Sequence, residues 1–488
     1  MALIFAANNL PILSRRDVID NSPQALDRHG VSAQHSKVQA RGQIIPTSDF
    51  YNPLLDLTDL IVDFETWEAK RGAFSFCQYP FLLSISAKTE VLEYEARRQM
   101  RSKARDAFFD SILDRTAANQ YWVLKVRRDC LVEDSLKGIS EISGSGSDDI
   151  KKSLRIAFSG EEGIDHGGLR KEWFLFLIRE VFNSDNGMFV YEEEDSDYCY
   201  FNPHSFETSD QFFLVGVVMG LAIYNSTILD IPLPPFVFRK LLATGPTPPM
   251  GPAAHPKPAL SYSLDDLAEI RPRLASGLRQ LLEYGGNVED TFSLDFTISL
   301  DRYGTSVQVP LIPDGADQPV TNRNRRRYVD LYVRYVLDVC VNRQFEPFKR
   351  GFYTVCGGNA LMLFRPEEIE LLVRGSDECL DIGGLRGAAI YENWGIETPD
   401  DGSEQAVQWF WEAFERALPA NQRKLLLFIT GSDRIPAAGA SSLRIKIACL
   451  GDDSERFPIA RTCSNMLMLW RYRSREKLEK AVDGCLRE

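Results

Sequence analysis

Residues Phe457–Val482 read FPIARTCSNMLMLWRYRSREKLEKAV. The run MLMLW has the length and apolarity of a buried strand, and SREKLEKAVDGCL after it is a helix-forming segment. One cysteine, Cys463, stands just before the strand, between the polar steps Arg461-Thr462 and Ser464-Asn465. From Arg456 to Lys480 there are seven Lys or Arg and two Asp or Glu. Positive surroundings raise the thiolate fraction of a thiol that lies among them in space. Cys463 is therefore the candidate nucleophile. Cys340 and Cys449 lie inside apolar patterns and are expected in the core, where free cysteine is common.

Upstream of this stretch, VQWFWEAFERAL (Val407–Leu418) predicts a helix with an aromatic face, followed by the apolar runs RKLLLFITG and LRIKIACLG. TGSDRIPAAG (Thr430–Gly439) reads as a turn held by Pro436. RGSDE (Arg374–Glu378) reads as a break between two lobes, after a helix that starts in RPEEIELLV. Residues 323–348 predict one helix, 291–310 a hairpin and 262–285 further helix. GPTPPMGPAAHPKP (Gly245–Pro258) cannot be helical and reads as an exposed loop. FFLVGVVMGLAIYN (Phe212–Asn225) is apolar all round and predicts a buried helix. YEEEDSDY (Tyr191–Tyr198) reads as a solvated loop. LRIAFSG (Leu154–Gly160) predicts a strand leading through a glycine-rich turn into an amphipathic helix. Thr89–Arg115 predicts a long charged helix, with Leu92, Ala96, Met100 and Phe108 near one face, that braces a neighbouring domain. Residues 1–48 predict a mobile tail.

The 488 residues carry a net charge of −13 with 44% apolar side chains, enough for two or three domains with a real core. An acidic chain is a poor default for nucleic acid, whose phosphates draw on Lys and Arg. The start, MALIFAANNLPIL, has no positive n-region and predicts no secretory signal. No apolar run reaches the ~20 residues of a bilayer helix. Nine cysteines without CxxC spacing and five histidines predict neither a disulfide framework nor a metal site, and no cofactor is expected.

A Cys–His hydrolase is the natural first reading of a reactive thiol, but all five histidines lie far upstream of Cys463. His29 and His35 fall in the tail and His255 in the proline-rich loop, which leaves His166 and His204. A thiol without an obvious base suits transthiolation, in which the leaving group is itself a thiol. EEGIDHGGLRKEWF lacks the GK[ST] ending of a phosphate loop, so Gly160, Gly163, Gly167 and Gly168 read as turn and packing residues.

Four of these segments occur together in one order. FSGEEGIDHGGLRKEWF comes first, then FNPHSF with FFLVGVVMGLAIYNSTILD, then WFWEAFERALPANQRKLLLFITGSDRIPAAG, then the stretch quoted at the outset. From Tyr121 to the end, the chain resembles the HECT-type ubiquitin ligase domain, in its fungal-like or E6-associated-protein-like branch. The resemblance implies an α+β, bilobal fold. Residues 1–48 would be a tail, 49–120 a helical extension and 121–374 a large, mainly helical N-lobe. Residues 262–350 of that lobe would bind the ubiquitin-conjugating enzyme. Gly375, Ser376, Asp377 and Glu378 would form a hinge to a smaller α/β C-lobe over 379–488. Cys463 would carry ubiquitin as a glycyl thioester and pass it to substrate lysines, supported by Thr462, Asn465 and Arg461. The groove for the conjugating enzyme maps onto Leu274, Leu278, Leu281, Tyr284, Phe292, Tyr328 and Tyr332, which read bottom-up could equally be core. The implied partners are the conjugating enzyme, ubiquitin and protein substrates, with no nucleic acid and no membrane insertion. The implied place is the cytoplasm, extending to the nucleus.

The chain departs from the family pattern at three positions. Arg461 stands where His is usual two residues before the cysteine, Ser464 where Phe usually follows it, and Cys485 where Phe is common four residues from the end. These departures motivate an alternative reading, a HECT-fold scaffold that binds without transferring; a papain-like hydrolase is a more distant one. Residues 379–488 hold 15 basic and 16 acidic side chains, net −1, so residues 1–378 hold the other −12. The acidity therefore belongs to the part expected to attract a basic conjugating-enzyme surface.

Overall fold

The computed structural model describes Met1, Ile4, Phe5, Asn8 and residues 45–486 apart from 70–73, 114–118, 145–147, 162–164, 166, 192, 194–195, 247–259, 303–304, 377 and 396–403. The expected tail, the proline-rich loop, His166 and Asp377 thus lie wholly or mostly outside the described residues. The chain divides into two compact units. One is Met1–Tyr94 with Pro246–Ala259 and Gly358–Arg365; the other is Glu95–Gly245, Leu260–Gly357 and Pro366–Glu488.

In the first unit, Phe5 stacks on Phe81 at 4.5 Å and meets Phe50 edge-on at 5.1 Å. Helix α1 (Leu60–Glu68) is capped by Asp59, whose carboxylate accepts from Val62 N. Helix α2 (Ile85–Leu113) starts in this unit and ends in the other. Leu92 and Ala96 on it are buried as expected, whereas Phe108 is 48% exposed. At 3.6 residues per turn Phe108 lies nearly half a turn around the helix from Leu92, so the four residues do not share one face.

The second unit opens with a parallel pair, β1 (Tyr121–Val126) and β2 (Ser153–Phe158). Trp122, Leu124 and Val126 register with Leu154, Ile156 and Phe158, and these alternating side chains are all buried. Helix α3 (Leu131–Gly144) joins the strands; Ser135 on it accepts the buried indole N–H of Trp173 at 2.9 Å. Trp173 lies on α4 (Gly168–Val181), the helix that follows the glycine-rich turn. After a short antiparallel pair, β3 (Phe189–Val190) and β4 (Tyr200–Phe201), comes the apolar helix α5 (Ser209–Tyr224), buried from Leu214 to Tyr224.

Helix α6 (Pro235–Thr244) is followed by α7 (Leu264–Ile270), which begins in a Ser263/Asp266 capping box. Then come α8 (Pro272–Glu283), α9 (Val288–Phe292) and the antiparallel hairpin β5 (Thr297–Arg302) and β6 (Thr305–Pro310). The helix expected over 323–348 is two: α10 (Arg325–Leu337) and α11 (Asn342–Val355), separated by a 3-10 turn. Tertiary partners break it. The Leu337 carbonyl accepts the Tyr200 hydroxyl at 2.7 Å and the buried Lys240 ammonium at 3.1 Å, and Asp338 pairs with Lys240 at 2.9 Å. Cys340 lies in the resulting turn, half-buried rather than in the core, its Sγ donating to Val336 O.

Helix α12 (Pro366–Arg374) precedes a section with a core of its own. It contains α13 (Ile382–Gly387), β7 (Ile390–Glu392), α14 (Gln405–Arg416), α15 (Pro419–Thr430), β8 (Lys446–Gly451), β9 (Ile459–Arg461), β10 (Met466–Trp470) and α16 (Arg475–Cys485). The four strands form one sheet in the order β7-β8-β10-β9, with β10 parallel to β8 and antiparallel to β9. Phe410, Trp411 and Phe414 of α14 pack with Leu425, Leu426, Ile447, Leu467, Leu469 and Leu478 in one cluster drawn from residues 380–486 alone. Cys449 is also only half-buried, at the end of β8 where the pairing shifts by a residue between Leu469 and Trp470. Helices dominate and the sheets are small, an α+β fold.

Candidate active site

Cys463 lies in a single 3-10 turn, Thr462–Ser464, between β9 and β10. The turn follows from its neighbours. Arg461 still pairs with Met466 across the antiparallel strands, and Asn465 closes the return in the left-handed region, at φ 50°, where Asn is better tolerated than most residues. Asn465 is tied four ways: its N–H donates to Thr462 O at 3.4 Å, its Nδ2 donates to Leu443 O at 2.8 Å, its carbonyl accepts from Lys446 N at 2.9 Å, and its Oδ1 accepts from Lys171 Nζ at 3.3 Å. The Ser464 hydroxyl donates to Arg461 O at 3.3 Å. Cys463, Arg461 and Ser464 are exposed; Thr462 and Asn465 are half-buried. The paired strands and Asn465 hold the turn, and the thiol sits on its exposed rim.

The glycine-rich turn meets this rim. Gly167 takes φ 110°, a value reserved for glycine, and α4 starts from it. Asp165 fastens the turn: one carboxylate oxygen accepts from Gly167 N at 2.7 Å and Arg170 N at 3.4 Å, and the other accepts from Ile156 N at 3.0 Å. A β-carbon on Gly168 would lie 3.6 Å from the Cys463 β-carbon, and one on Gly167 3.9 Å from it. One helical turn on, the Lys171 ammonium donates to Thr462 O at 2.8 Å and Thr430 O at 3.0 Å besides Asn465 Oδ1. Burial pushes the Lys171 ammonium below its usual range; Cys463 opposes the shift and Arg170 adds to it.

Gly167 and Gly168, two of the four glycines read as turn residues, also face the candidate nucleophile, and Lys171 is a functional candidate the sequence reading missed. A separation of 291 residues carries no local signal of that contact. His204 is half-buried, its backbone N–H donating to Asn202 Oδ1 at 2.9 Å.

The other thiols differ in setting. No disulfide joins any of the nine cysteines. Cys77, Cys199 and Cys356 are buried, and burial pushes their thiols up, Cys199 to about 12. Cys485 is half-buried at the end of α16, its Sγ donating to Ala481 O. Cys379 and Cys463 alone are exposed, and exposure is what a thiol-exchange nucleophile requires.

The expected hinge runs beside the loop after α15. Gly375 is left-handed at φ 66°. Ser376 and Ile435 exchange both backbone hydrogen bonds, at 2.7 and 3.1 Å. Arg423 donates to Glu378 O at 2.7 Å, and Arg434 pairs with Asp230 at 2.8 Å. Of the seven groove residues, Leu278, Leu281 and Tyr328 are buried, whereas Leu274, Tyr284, Phe292 and Tyr332 are half-buried. Tyr284 and Phe292 meet edge-on at 5.1 Å, as do Tyr328 and Tyr332 at 5.8 Å. Among the described residues no cluster of three or more His, Cys, Asp or Glu is placed to hold a metal ion, and no helix is long and apolar enough to cross a membrane.

Comparison with known proteins places the chain in a family. The chain is 40% identical over 467 residues to a probable E3 ubiquitin-protein ligase, mug30, of Schizosaccharomyces pombe, covering 91% of this chain and 55% of that protein. It is 40% identical over 446 residues to the mouse probable E3 ubiquitin-protein ligase HECTD2, covering 90% and 56%. Against the probable E3 ubiquitin-protein ligase HUL4 of Eremothecium gossypii the identity is 37% over 478 residues, covering 91% and 54%. The chain thus spans about half the length of these relatives. The profile of one family, HECT-domain (ubiquitin-transferase), matches residues 175–488, well over half of the sequence. The chain belongs to the HECT-domain (ubiquitin-transferase) family.

Proposed function

We propose that this chain is an E3 ubiquitin-protein ligase that accepts ubiquitin on Cys463 and transfers it to substrate lysines. The observation that carries the reading is the exposed Cys463 on a turn anchored by Asn465, in a chain of the HECT family. In the first half-reaction the Cys463 thiolate attacks the conjugating enzyme's thioester; a C–S bond forms, another breaks, and the enzyme's thiolate leaves. In the second, a lysine amine attacks the Cys463 thioester; a C–N bond forms, the Cys463 thiolate leaves with the electron pair, and the amine's proton passes to solvent. Neither step needs a cofactor.

On this reading residues 121–374 act as the conjugating-enzyme-binding lobe, 375–378 as the hinge and 379–488 as the thiol-bearing lobe, with 1–48 and 49–120 outside them. Leu274, Tyr284, Phe292 and Tyr332 would touch the conjugating enzyme, while Leu278, Leu281 and Tyr328 would support them from beneath. Thr462, Asn465 and Arg461 would shape the approach to the thiol. The net charge of −12 over residues 1–378 favours a basic partner surface over nucleic acid. Its partners would be the conjugating enzyme, ubiquitin and protein substrates in the cytoplasm and nucleus. The test is incubation with a charged conjugating enzyme. A ubiquitin adduct that thiols cleave, lost in Cys463→Ala, is expected. An adduct that survives this substitution sinks the site assignment, and conjugating-enzyme binding without any adduct supports the scaffold reading instead.

A further inference from the structure

Lys171 donates to three oxygens on two elements. Its acceptors, Thr430 O, Thr462 O and Asn465 Oδ1, come from the end of α15 and from the turn that carries Cys463. Two of the three flank the thiol in sequence. The donor belongs to α4, on whose first residue, Gly168, a β-carbon would lie 3.6 Å from the Cys463 β-carbon. Between these elements the described chain runs through Gly375 and Ser376, where left-handed glycine and one reciprocal backbone pair make the connection. A cation is thus fixed against the Cys463 turn from the far side of that connection. No sequence motif assigns this lysine a role.

The two half-reactions place different demands on such a cation. In loading, Cys463 is already a thiolate before it attacks. A neighbouring cation raises the thiolate fraction but lowers its nucleophilicity, so a tenfold gain in thiolate leaves a net gain of only about 3-fold. In discharge, negative charge develops on the Cys463 sulfur as it leaves, and a leaving thiolate departs faster when its charge is stabilised. The attacking amine has no thiolate character of its own, so nothing offsets the gain.

We propose that Lys171 is the positioning residue of the second half-reaction: it locks the Thr462–Asn465 turn onto the start of α4 and holds a cation where the Cys463 thiolate departs. The proposal rests on the thioester reading of Cys463.

The experiment uses the full chain, loaded with ubiquitin by a charged conjugating enzyme in a single turnover and then discharged onto free lysine. Wild type is compared with Lys171→Met, Lys171→Gln and Lys171→Arg, with thermal unfolding followed alongside. Loading is expected within about 3-fold of wild type in all variants. Discharge is expected to fall about 10- to 100-fold in the Met and Gln variants and to recover to within about 5-fold in Arg. The Gln variant separates charge from hydrogen bonding, since its amide can still donate to the turn. Discharge at the wild-type rate in Gln and Met overturns the proposal. So does an equal loss of loading and discharge, which is what a merely structural lysine would give. If the wild-type chain itself forms no Cys463 adduct, the ligase reading fails, a result distinct from either.

Discussion

Helices α5 and α11 approach each other at backbone distance, and Gly216→Ala measures how much depends on that closeness. A β-carbon at 216 would lie 1.9 Å from Phe348 O and 2.8 Å from both Phe348 C and Phe352 N. The shortest of these is about 1.5 Å inside the ~3.5 Å of ordinary contact. All three obstacles are backbone atoms, so no rotamer change relieves them. Gly351 on the facing helix repeats the situation, its β-carbon falling 2.1 Å from Phe213 O. Overpacking of this kind costs about 1–3 kcal/mol, and the rigid obstacle argues for the upper end. Alanine recovers about 1 kcal/mol through its better helix propensity. The net destabilisation is then about 2 kcal/mol, a drop of several degrees in the unfolding midpoint. Gly277 is the matched control: it is exposed inside α8, with nothing within 4 Å of its would-be β-carbon. Gly277→Ala is expected to stabilise by roughly 0.5–1 kcal/mol. Thermal and urea unfolding of both variants decide the matter. A Gly216→Ala protein as stable as wild type, or a Gly277→Ala protein that loses stability, would refute the reasoning.

Two further expectations concern buried charge and the groove. Burial, then the nearby Asp266 carboxylate, pushes the Glu269 carboxyl up to about 8, while the Phe236 N–H pulls the other way. Because the folded value is raised, this group's full contribution to stability is present below pH 4.5 and is lost as pH rises towards 8. Glu269→Gln should therefore match wild type near pH 4.5 and exceed it by on the order of 4 kcal/mol at pH 8; a gain that did not grow with pH would count against the assignment. In the groove, Leu278→Ala should lower the melting temperature by removing a core side chain, at a cost of about 2–5 kcal/mol. Phe292→Ala should leave stability nearly unchanged and weaken conjugating-enzyme binding at least about tenfold. Unaltered affinity in the Phe292 variant would remove that residue from the interface.

Much of this architecture is legible in local pattern. The alternation of Trp122, Leu124 and Val126 marks a half-buried strand, the unbroken apolarity of α5 marks a buried helix, and Pro366 marks the start of α12. These signals survive because each depends on neighbours within one or two turns. The division of 323–348 into two helices was illegible, because what ends the first is a lysine and a tyrosine more than ninety residues away that capture the Leu337 carbonyl. The half-burial of Cys340 and Cys449 follows from such a break and from a register shift, neither of which composition records.

The candidate site divides the same way. The sequence alone singled out Cys463, since a thiol between polar steps at the mouth of an apolar strand is a local pattern, and the order of four motifs pointed to the family. It also held Gly167, Gly168 and Lys171 in plain view, but only as a turn and the first residues of a helix. Only the tertiary structure decided that this turn faces the thiol and that one ammonium ties the end of α15 to the turn that carries it. The reason is physical: a strand or helix is specified by side chains a few residues apart. A hydrogen bond between residues 171 and 462 forms only after both elements have packed, and its energy leaves no trace in either stretch of sequence.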